Sequence, residues 1–101
     1  MQALAALADP IRREIVENLL VAPEDAGTIA SRFQVSRPAV SRHLRVLREA
    51  GLVSVEQDAQ RRIYHIESAP LAEVDEWITR YRSFWTGKLA ALDTHLKENP
   101  T

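Results

Sequence analysis

The segment that most constrains the fold is residues 36–53, which read SRPAVSRHLRVLREAGLV. Ser36 is a residue type that caps helix N-termini, and Pro38 fits a first helical turn, where its missing N–H does no harm. Gly51 can adopt the left-handed conformation that ends a helix. The segment therefore predicts one helix whose two ends are both specified by local residues.

Within this helix the apolar residues recur at helical spacing. Val40, Leu44 and Leu47 fall at i, i+4 and i+7, which predicts a single buried stripe. The opposite side carries Pro38, Arg42, Arg45 and Glu49 and is flanked by Ser41 and Arg48. The guanidinium and hydroxyl groups of this outer face are side-chain types that can reach phosphates and base edges. His43 lies at the edge of that side, where it either touches a base or only covers the flank of the helix.

A shorter helix precedes this one. Residues 28–33 predict a short helix and residues 34–35 a tight turn. A helix, a tight turn and a longer helix follow one another in the helix-turn-helix order, in which the second helix enters the major groove of DNA.

Four segments resemble the ArsR-type family of bacterial winged-helix transcriptional repressors, and the resemblance covers nearly the whole chain. They are LADPIRREI at residues 7–15, SRPAVSRHLRVL at 36–47, EAGLV at 49–53 and RRIY at 61–64. The residues Trp77, Tyr81, Arg82, Phe84 and Trp85 further resemble the W-x-x-x-Y-R-x-F-W tail of a subgroup without an obvious metal site. The resemblance implies a mainly α fold with a small β-hairpin, in the order α-α-α-α-β-β-α, that is dimeric and binds DNA as one winged-helix domain over residues 1–101.

The family resemblance also implies which residues meet DNA. We expect contacts from the second helix of the motif and from the hairpin, or wing: Ser36, Arg37, Pro38, Ser41, Arg42, His43, Arg45, Arg61 and Arg62. Arg61 and Arg62 are more suited to phosphates than to bases, because a positive charge at a hairpin end fixes register without reading a donor pattern. Arg37 stands where relatives often have Gln, so their base preference does not transfer.

Other local patterns fill in the fold. We expect a helix over residues 2–8 and a second helix that begins at Asp9-Pro10, with Ile11, Ile15, Leu19 and Leu20 in the core. Residues 23–27 are expected to be a break between helices. Residues 52–55 and 63–66 are rich in β-branched side chains and predict the two strands of the wing. At the wing tip, residues 58–60, only Asp58 is a residue type common in left-handed turn positions.

Net charge is misleading as an average. The chain carries only −1 overall, but residues 30–62 hold seven arginines against three acidic residues, a net +4. Residues 1–29 sum to −3 and residues 63–101 to −2. One basic segment on an otherwise acidic chain is the pattern expected of a DNA-binding face.

From Pro70 onward, apolar residues keep a spacing of three or four and predict a long helix over residues 70–98. A helix of that length is longer than one small domain can cover, so part of its apolar face needs another surface. In the family resembled, the first and last helices form the dimer interface, which implies Leu4, Leu7, Trp77, Tyr81, Phe84, Trp85, Leu89 and Leu92. The aromatic stripe either forms this interface or lines an effector pocket.

Some relatives bind zinc on the last helix through a D-x-H pair and a later H-x-x-E pair. Here Asp93, His95 and Glu98 supply one histidine for both pairs, so neither alignment completes a site, and the absence of cysteine excludes thiolate sites. We expect no bound metal and no cofactor, and no effector can be named.

The remaining observations limit the class of function. No run of 18 apolar residues and no signal peptide is present, so the expectation is a soluble cytoplasmic protein that does not bind membranes. The three histidines, His43, His65 and His95, lie on separate predicted elements without converging partners, which disfavours an enzyme. The alternatives are a protein-interaction module that kept this fold but lost DNA binding, and a repressor that senses a metal through an unrecognised site.

Overall fold

The computed structural model describes residues 2–98, as five helices and a small sheet. Residues 1 and 99–101 lie outside the described part. The elements are α1 (Gln2–Ala6), α2 (Pro10–Val21), β1 (Glu24–Asp25), α3 (Ala26–Ser31), α4 (Arg37–Glu49), β2 (Val53–Asp58), β3 (Arg61–Ile66) and α5 (Ser68–Glu98). The chain forms two compact units, one up to residue 71 and one from residue 72 onward.

Two helices of the first unit begin at N-caps that the sequence predicts. Asp9 accepts hydrogen bonds from the backbone N–H groups of Ile11 (2.8 Å) and Arg12 (3.2 Å) and begins α2. Ser36 begins α4 by accepting from the N–H of Ala39 at 3.2 Å. Each cap satisfies N–H groups that a helix end leaves without a partner.

The exit from α4 is closed by Gly51, whose φ of 76° is in the left-handed region. The N–H of Gly51 donates to the carbonyl of Arg48 (2.9 Å), and the N–H of Leu52 donates to the carbonyl of Leu47 (3.0 Å). This pair of bonds, with the apolar residues Leu47 and Leu52 both fully buried, is a Schellman motif. The predicted bounds of the helix are confirmed.

The core of the first unit joins α2, α3 and α4 to the sheet. The predicted stripe of α4 is buried, and its neighbours in the core are mainly aliphatic: Ile15, Val16, Leu19, Ile29, Leu52 and Val53. The prediction that Leu20 belongs to this core is wrong, because its side chain is 58% exposed. Leu20 follows Val16 by one turn on the same face of α2, near the end of the helix, where the described chain leaves it uncovered.

The sheet has three antiparallel strands in the order β1-β3-β2. The wing is the β2-β3 pair, which runs from Val53 opposite Ile66 to Asp58 opposite Arg61. Residues 23–27 are not a simple break: Glu24 and Asp25 pair with the free edge of β3, and α3 begins at Ala26, earlier than the predicted residue 28. Two polar residues carry no strand pattern of their own, so this strand exists only because β3 offers an edge.

The wing tip also differs from the expectation. Because Asp58 pairs with Arg61, the loop consists of Ala59 and Gln60, and the left-handed residue is Ala59, with φ 55°, rather than Asp58. A two-residue hairpin loop requires positive φ at its first central position whatever residue stands there. The Gln57 side chain donates to the carbonyl of Ala59 at 2.9 Å and holds the turn.

The second unit consists of α5 from residue 72 onward. The helix has 31 residues in all, begins at Ser68 instead of the predicted 70, and every residue from 79 to 97 is exposed. Aromatic rings contact one another along this helix. Trp77 stacks on Tyr81 with ring centroids 5.1 Å apart. Edge-to-face pairs follow, with centroid distances of 5.9 Å for Tyr81–Trp85 and 5.6 Å for Phe84–Trp85. No helix among the described residues is long and apolar enough to span a bilayer.

Candidate nucleic-acid interface

The side of α4 that the sequence predicts to read DNA lies on the surface. All of its predicted residues except His43 are exposed: Ser36, Arg37, Pro38, Ser41, Arg42 and Arg45. The buried stripe on the opposite side packs the helix against the core. Folding therefore leaves the polar side chains of this side in contact with water. This is the presentation that a recognition helix requires.

Five arginines of this region have no carboxylate partner among the described residues. Their guanidinium groups make no ion pair or hydrogen bond within residues 2–98: Arg37, Arg42, Arg45 and Arg48 on α4, and Arg62 on β3. A guanidinium without an intramolecular acceptor keeps all its N–H donors for an external one, and phosphate suits its fork geometry. These five are therefore the arginines of this region most available to DNA.

Two other arginines are engaged within the protein. Arg61 pairs with Asp25 at 3.3 Å, and Arg32 pairs with Glu24. Hydrogen bonds from Thr28, with a smaller contribution from the charge of Arg61, hold the pKa of Asp25 below its usual value, and the Glu24 carboxylate raises the pKa of Arg32. Arg61, predicted to meet DNA, is thus tied to the start of α3 through Nε, and only its Nη groups remain without a partner among the described residues.

The recognition helix and the wing meet at a groove of about 270 Å³. Its lining comes from α4 and β3: Ser41, Arg45, Arg48, Arg62 and Tyr64. The fold thus brings together residues that the sequence could assign only to separate elements. The predicted DNA contacts include neither Tyr64 nor Arg48, which the sequence places only at the flank of the outer face.

His43 faces a different direction from the exposed arginines. Arg12 donates from Nη1 to Nδ1 of His43 at 3.3 Å, and because arginine cannot accept, the ring proton of His43 must be on Nε2 in this contact. The Asp9 carboxylate lies 4.0 Å from the same nitrogen. Of the two interpretations left open by the sequence, these contacts favour a histidine that covers the edge of α4.

Arg12 connects three helices. Besides His43, it donates from Nε to the carbonyl of Ala6 at 2.6 Å, at the last turn of α1, and from Nη2 to the carbonyl of Ala5 at 3.5 Å. It therefore binds the end of α1 and the edge of α4 to the first turn of α2. The sequence singles Arg12 out only through the family resemblance, because a contact across 31 residues leaves no local pattern.

A model of the arsR family of bacterial regulatory proteins matches residues 9–55. The HTH-type transcriptional regulator Rv2034 of Mycobacterium tuberculosis is 43% identical over 88 residues, which are 87% of this chain and 79% of that protein. The chain belongs to the ArsR family. It is thus a DNA-binding transcription regulator with a winged helix-turn-helix fold, as predicted, and it is not an enzyme.

Two further comparisons agree with this assignment. The transcriptional repressor SdpR of Bacillus subtilis is 32% identical over 76 residues, 75% of this chain and 84% of that protein. A crystal structure described as a possible transcriptional regulator for arsenical resistance superimposes with a TM-score of 0.75 at 35% identity, covering 94% of this chain and 96% of the other.

The residues predicted for the dimer interface of this ArsR-family protein divide between the two units. Leu4, in α1, and Leu7, directly after it, are half-buried in the first unit. The others are exposed along α5: Trp77, Tyr81, Phe84, Trp85, Leu89 and Leu92. Leu96, at 57% exposure, extends this row. We call the α5 set, including Leu96, the α5 apolar face.

The weak metal signal gains no support from the geometry. Asp93 forms an ion pair with Lys97 at 3.0 Å, and the Glu98 side chain lies outside what the structure describes. Within the described residues, no three His, Asp or Glu side chains lie close enough to share a metal ion. Insensitivity to metals stays a prediction.

Proposed function

We propose that this ArsR-family regulator is a homodimeric repressor that acts in the cytoplasm and occupies an inverted-repeat operator. The single observation that carries the proposal is the outward face of α4, where Arg42 and Arg45 have no acceptor within the described chain. Each recognition helix enters a major groove, and the wing, led by Arg62, runs along the adjacent backbone.

The α5 apolar face supports the dimer. Its seven large side chains are between 39% and 61% exposed, and they follow one another along a single helix. A continuous apolar surface of this kind on a soluble protein marks an interface, because leaving it in water is unfavourable. A second copy of α5 presents the same apolar row, so a symmetric pairing covers both copies at once.

Dimerisation determines the form of the operator. Two copies related by a twofold axis present two α4 helices, so the bound sequence has dyad symmetry. Its half-sites are about 34–36 Å apart, one helical turn of DNA, or a multiple of that distance. An effector would act by favouring a dimer with another spacing, which requires a different affinity for the two forms.

A mobility-shift assay with the promoter upstream of the protein's own gene tests DNA binding, since autoregulation is common in this family. We expect a shift that an unlabelled copy of the promoter removes and an equal mass of unrelated duplex does not. Arg42→Ala is the matched variant, because it alters an exposed side chain and leaves the core of α4 intact.

A reporter fused to the same promoter tests repression. We expect its output to fall when the protein is expressed and to recover with Arg42→Ala. An increase in output would identify an activator. If neither this promoter nor unrelated DNA is shifted, the α5 apolar face would favour the alternative function, a protein-interaction module that kept the fold.

A further inference from the structure

The groove between α4 and β3 contains a buried tyrosine with an unusual hydroxyl. Tyr64 is only 4% exposed, and its hydroxyl makes no hydrogen bond within the described residues. Yet no buried side-chain oxygen or nitrogen there lacks a partner. The hydroxyl oxygen must therefore be in contact with solvent, and because Tyr64 lines the groove, we infer that this contact is made inside the groove.

Positive charge surrounds this hydroxyl. Arg45 and Arg48 come from α4 and Arg62 from β3, and none of them pairs with a carboxylate in the described chain. Three guanidinium groups around one groove repel one another, so an anion bound between them removes a repulsion that the free protein carries. Ser41 adds a second hydroxyl to the lining.

We propose that this groove is a binding site for one backbone phosphate of DNA, with Arg48 and Tyr64 as contact residues alongside Arg62. The proposal rests on the proposed DNA binding and deepens it. In B-DNA a sugar-phosphate backbone separates the major groove, which receives α4, from the adjacent minor groove, which the wing approaches. A groove between helix and wing therefore faces phosphates and not base edges.

The chemistry of the lining fits this ligand. Every group offered is a donor or can donate: three guanidinium forks and the two hydroxyls of Ser41 and Tyr64. A phosphodiester has only acceptor oxygens and one negative charge. Such a contact fixes where the protein stands on the duplex but reads no sequence.

Binding to a mixed-sequence duplex tests the proposed phosphate-binding site and does not require the operator sequence. For Arg48→Gln we expect weaker binding at low salt and a salt slope reduced by about 0.9, so that the affinity ratio of wild type to variant shrinks about 3.5-fold between 50 and 200 mM salt. For Tyr64→Phe we expect an affinity loss of about 3- to 10-fold with an unchanged slope, because this substitution removes a hydrogen-bond donor and no cation.

Arg13→Gln is the matched control, since it removes an exposed arginine of α2 that has no carboxylate partner in the described chain and does not line the groove. Its effect on affinity should be smaller than that of Arg48→Gln. Thermal unfolding monitored by circular dichroism checks that Tyr64→Phe leaves the fold intact. Tyr64→Phe should also cost less in the Arg48→Gln background, because two residues on one phosphate depend on each other.

Each outcome bears on a different statement. If the wild type binds no duplex, both the DNA-binding function and the phosphate-binding site are wrong. The phosphate-binding site alone is wrong if the wild type binds but Arg48→Gln leaves the salt slope unchanged. The same holds if a folded Tyr64→Phe variant binds with unchanged affinity. Fully additive losses in the double variant overturn the assignment of both residues to one phosphate.

Discussion

Replacing Trp85 by alanine tests the dimer on which the operator model depends. Trp85 is 47% exposed in the described chain, and a tryptophan side chain presents up to about 250 Å², so roughly 100 Å² remains to be covered. At about 25 cal/mol per Å², covering it contributes about 2.5 kcal/mol per ring and about 5 kcal/mol for the two rings of a symmetric dimer. An alanine side chain at this position would contribute little of this burial free energy.

We therefore expect Trp85→Ala to weaken dimerisation by about 3–5 kcal/mol, which is a rise in Kd of about a hundredfold to a few thousandfold. Sedimentation equilibrium over a range of concentrations measures the Kd directly. Operator affinity should fall with it, although Trp85 is not on the recognition helix.

A leucine pair provides the control. Leu89 on α5 and Leu20 on α2 are almost equally exposed, at 61% and 58%, so their alanine variants remove the same apolar atoms from surfaces of similar accessibility. Leu89→Ala should raise the Kd and Leu20→Ala should not. A wild type that sediments as a monomer at micromolar concentration, or a Trp85→Ala protein with an unaltered Kd, would refute the reasoning.

Four further outcomes are expected. Arg42→Ala should cost about 1–3 kcal/mol on the operator and much less on random DNA at fixed salt, as measured by competition binding; equal losses on both would make Arg42 a phosphate contact. Asp9→Ala should lower the free energy of unfolding by about 1 kcal/mol in urea titrations near neutral pH, because a helix cap is lost; an unchanged midpoint would contradict the capping role. Ala59→Gly should raise the melting temperature and Ala59→Val lower it, since only glycine adopts the left-handed turn without strain; the reverse order would contradict the wing-tip geometry. Micromolar zinc, cadmium or arsenite, or a chelator, should leave operator affinity unchanged; a tenfold shift, about 1.4 kcal/mol of coupling, would show metal sensing.

The Asp9 cap also gives a pH dependence. Burial raises the pKa of Asp9, but hydrogen bonds from the backbone N–H groups of Arg12 and Ile11 outweigh it and lower the pKa below 3.8. A carboxyl whose pKa is lower in the folded state stabilises the fold above its unfolded pKa and loses that contribution as pH falls through the folded value. The difference between wild type and Asp9→Ala should therefore begin to shrink as pH falls below about 4 and be lost once pH is below the folded-state pKa of Asp9.

Local sequence determined most of the recognition helix. The cap Ser36 and the exit residue Gly51 act on backbone groups within one turn of the helix. The spacing of Val40, Leu44 and Leu47 likewise determines which face of the helix is apolar, although other elements of the chain cover that face. Asp9 and Pro10 act in the same local way at the start of α2. The helix-turn-helix order and the exposed arginine face follow from these neighbours alone.

Tertiary structure decided what lies between elements. β1 forms only because β3 presents an edge, and Ala59 takes the left-handed position only because the strand register places it in a two-residue loop. Arg61 and Arg62 are adjacent and alike in sequence, yet Arg61 pairs with Asp25, 36 residues away, whereas Arg62 lines the groove.

Arg48 and Tyr64 show the same limit at the candidate site. They are 16 positions apart on a helix and a strand, and nothing local indicates that they share a groove. Periodicity and capping describe one element at a time, because they arise from backbone geometry within a few residues. Contacts between elements depend on how those elements pack. In this protein, packing determined which arginines are paired and which have no acceptor within residues 2–98.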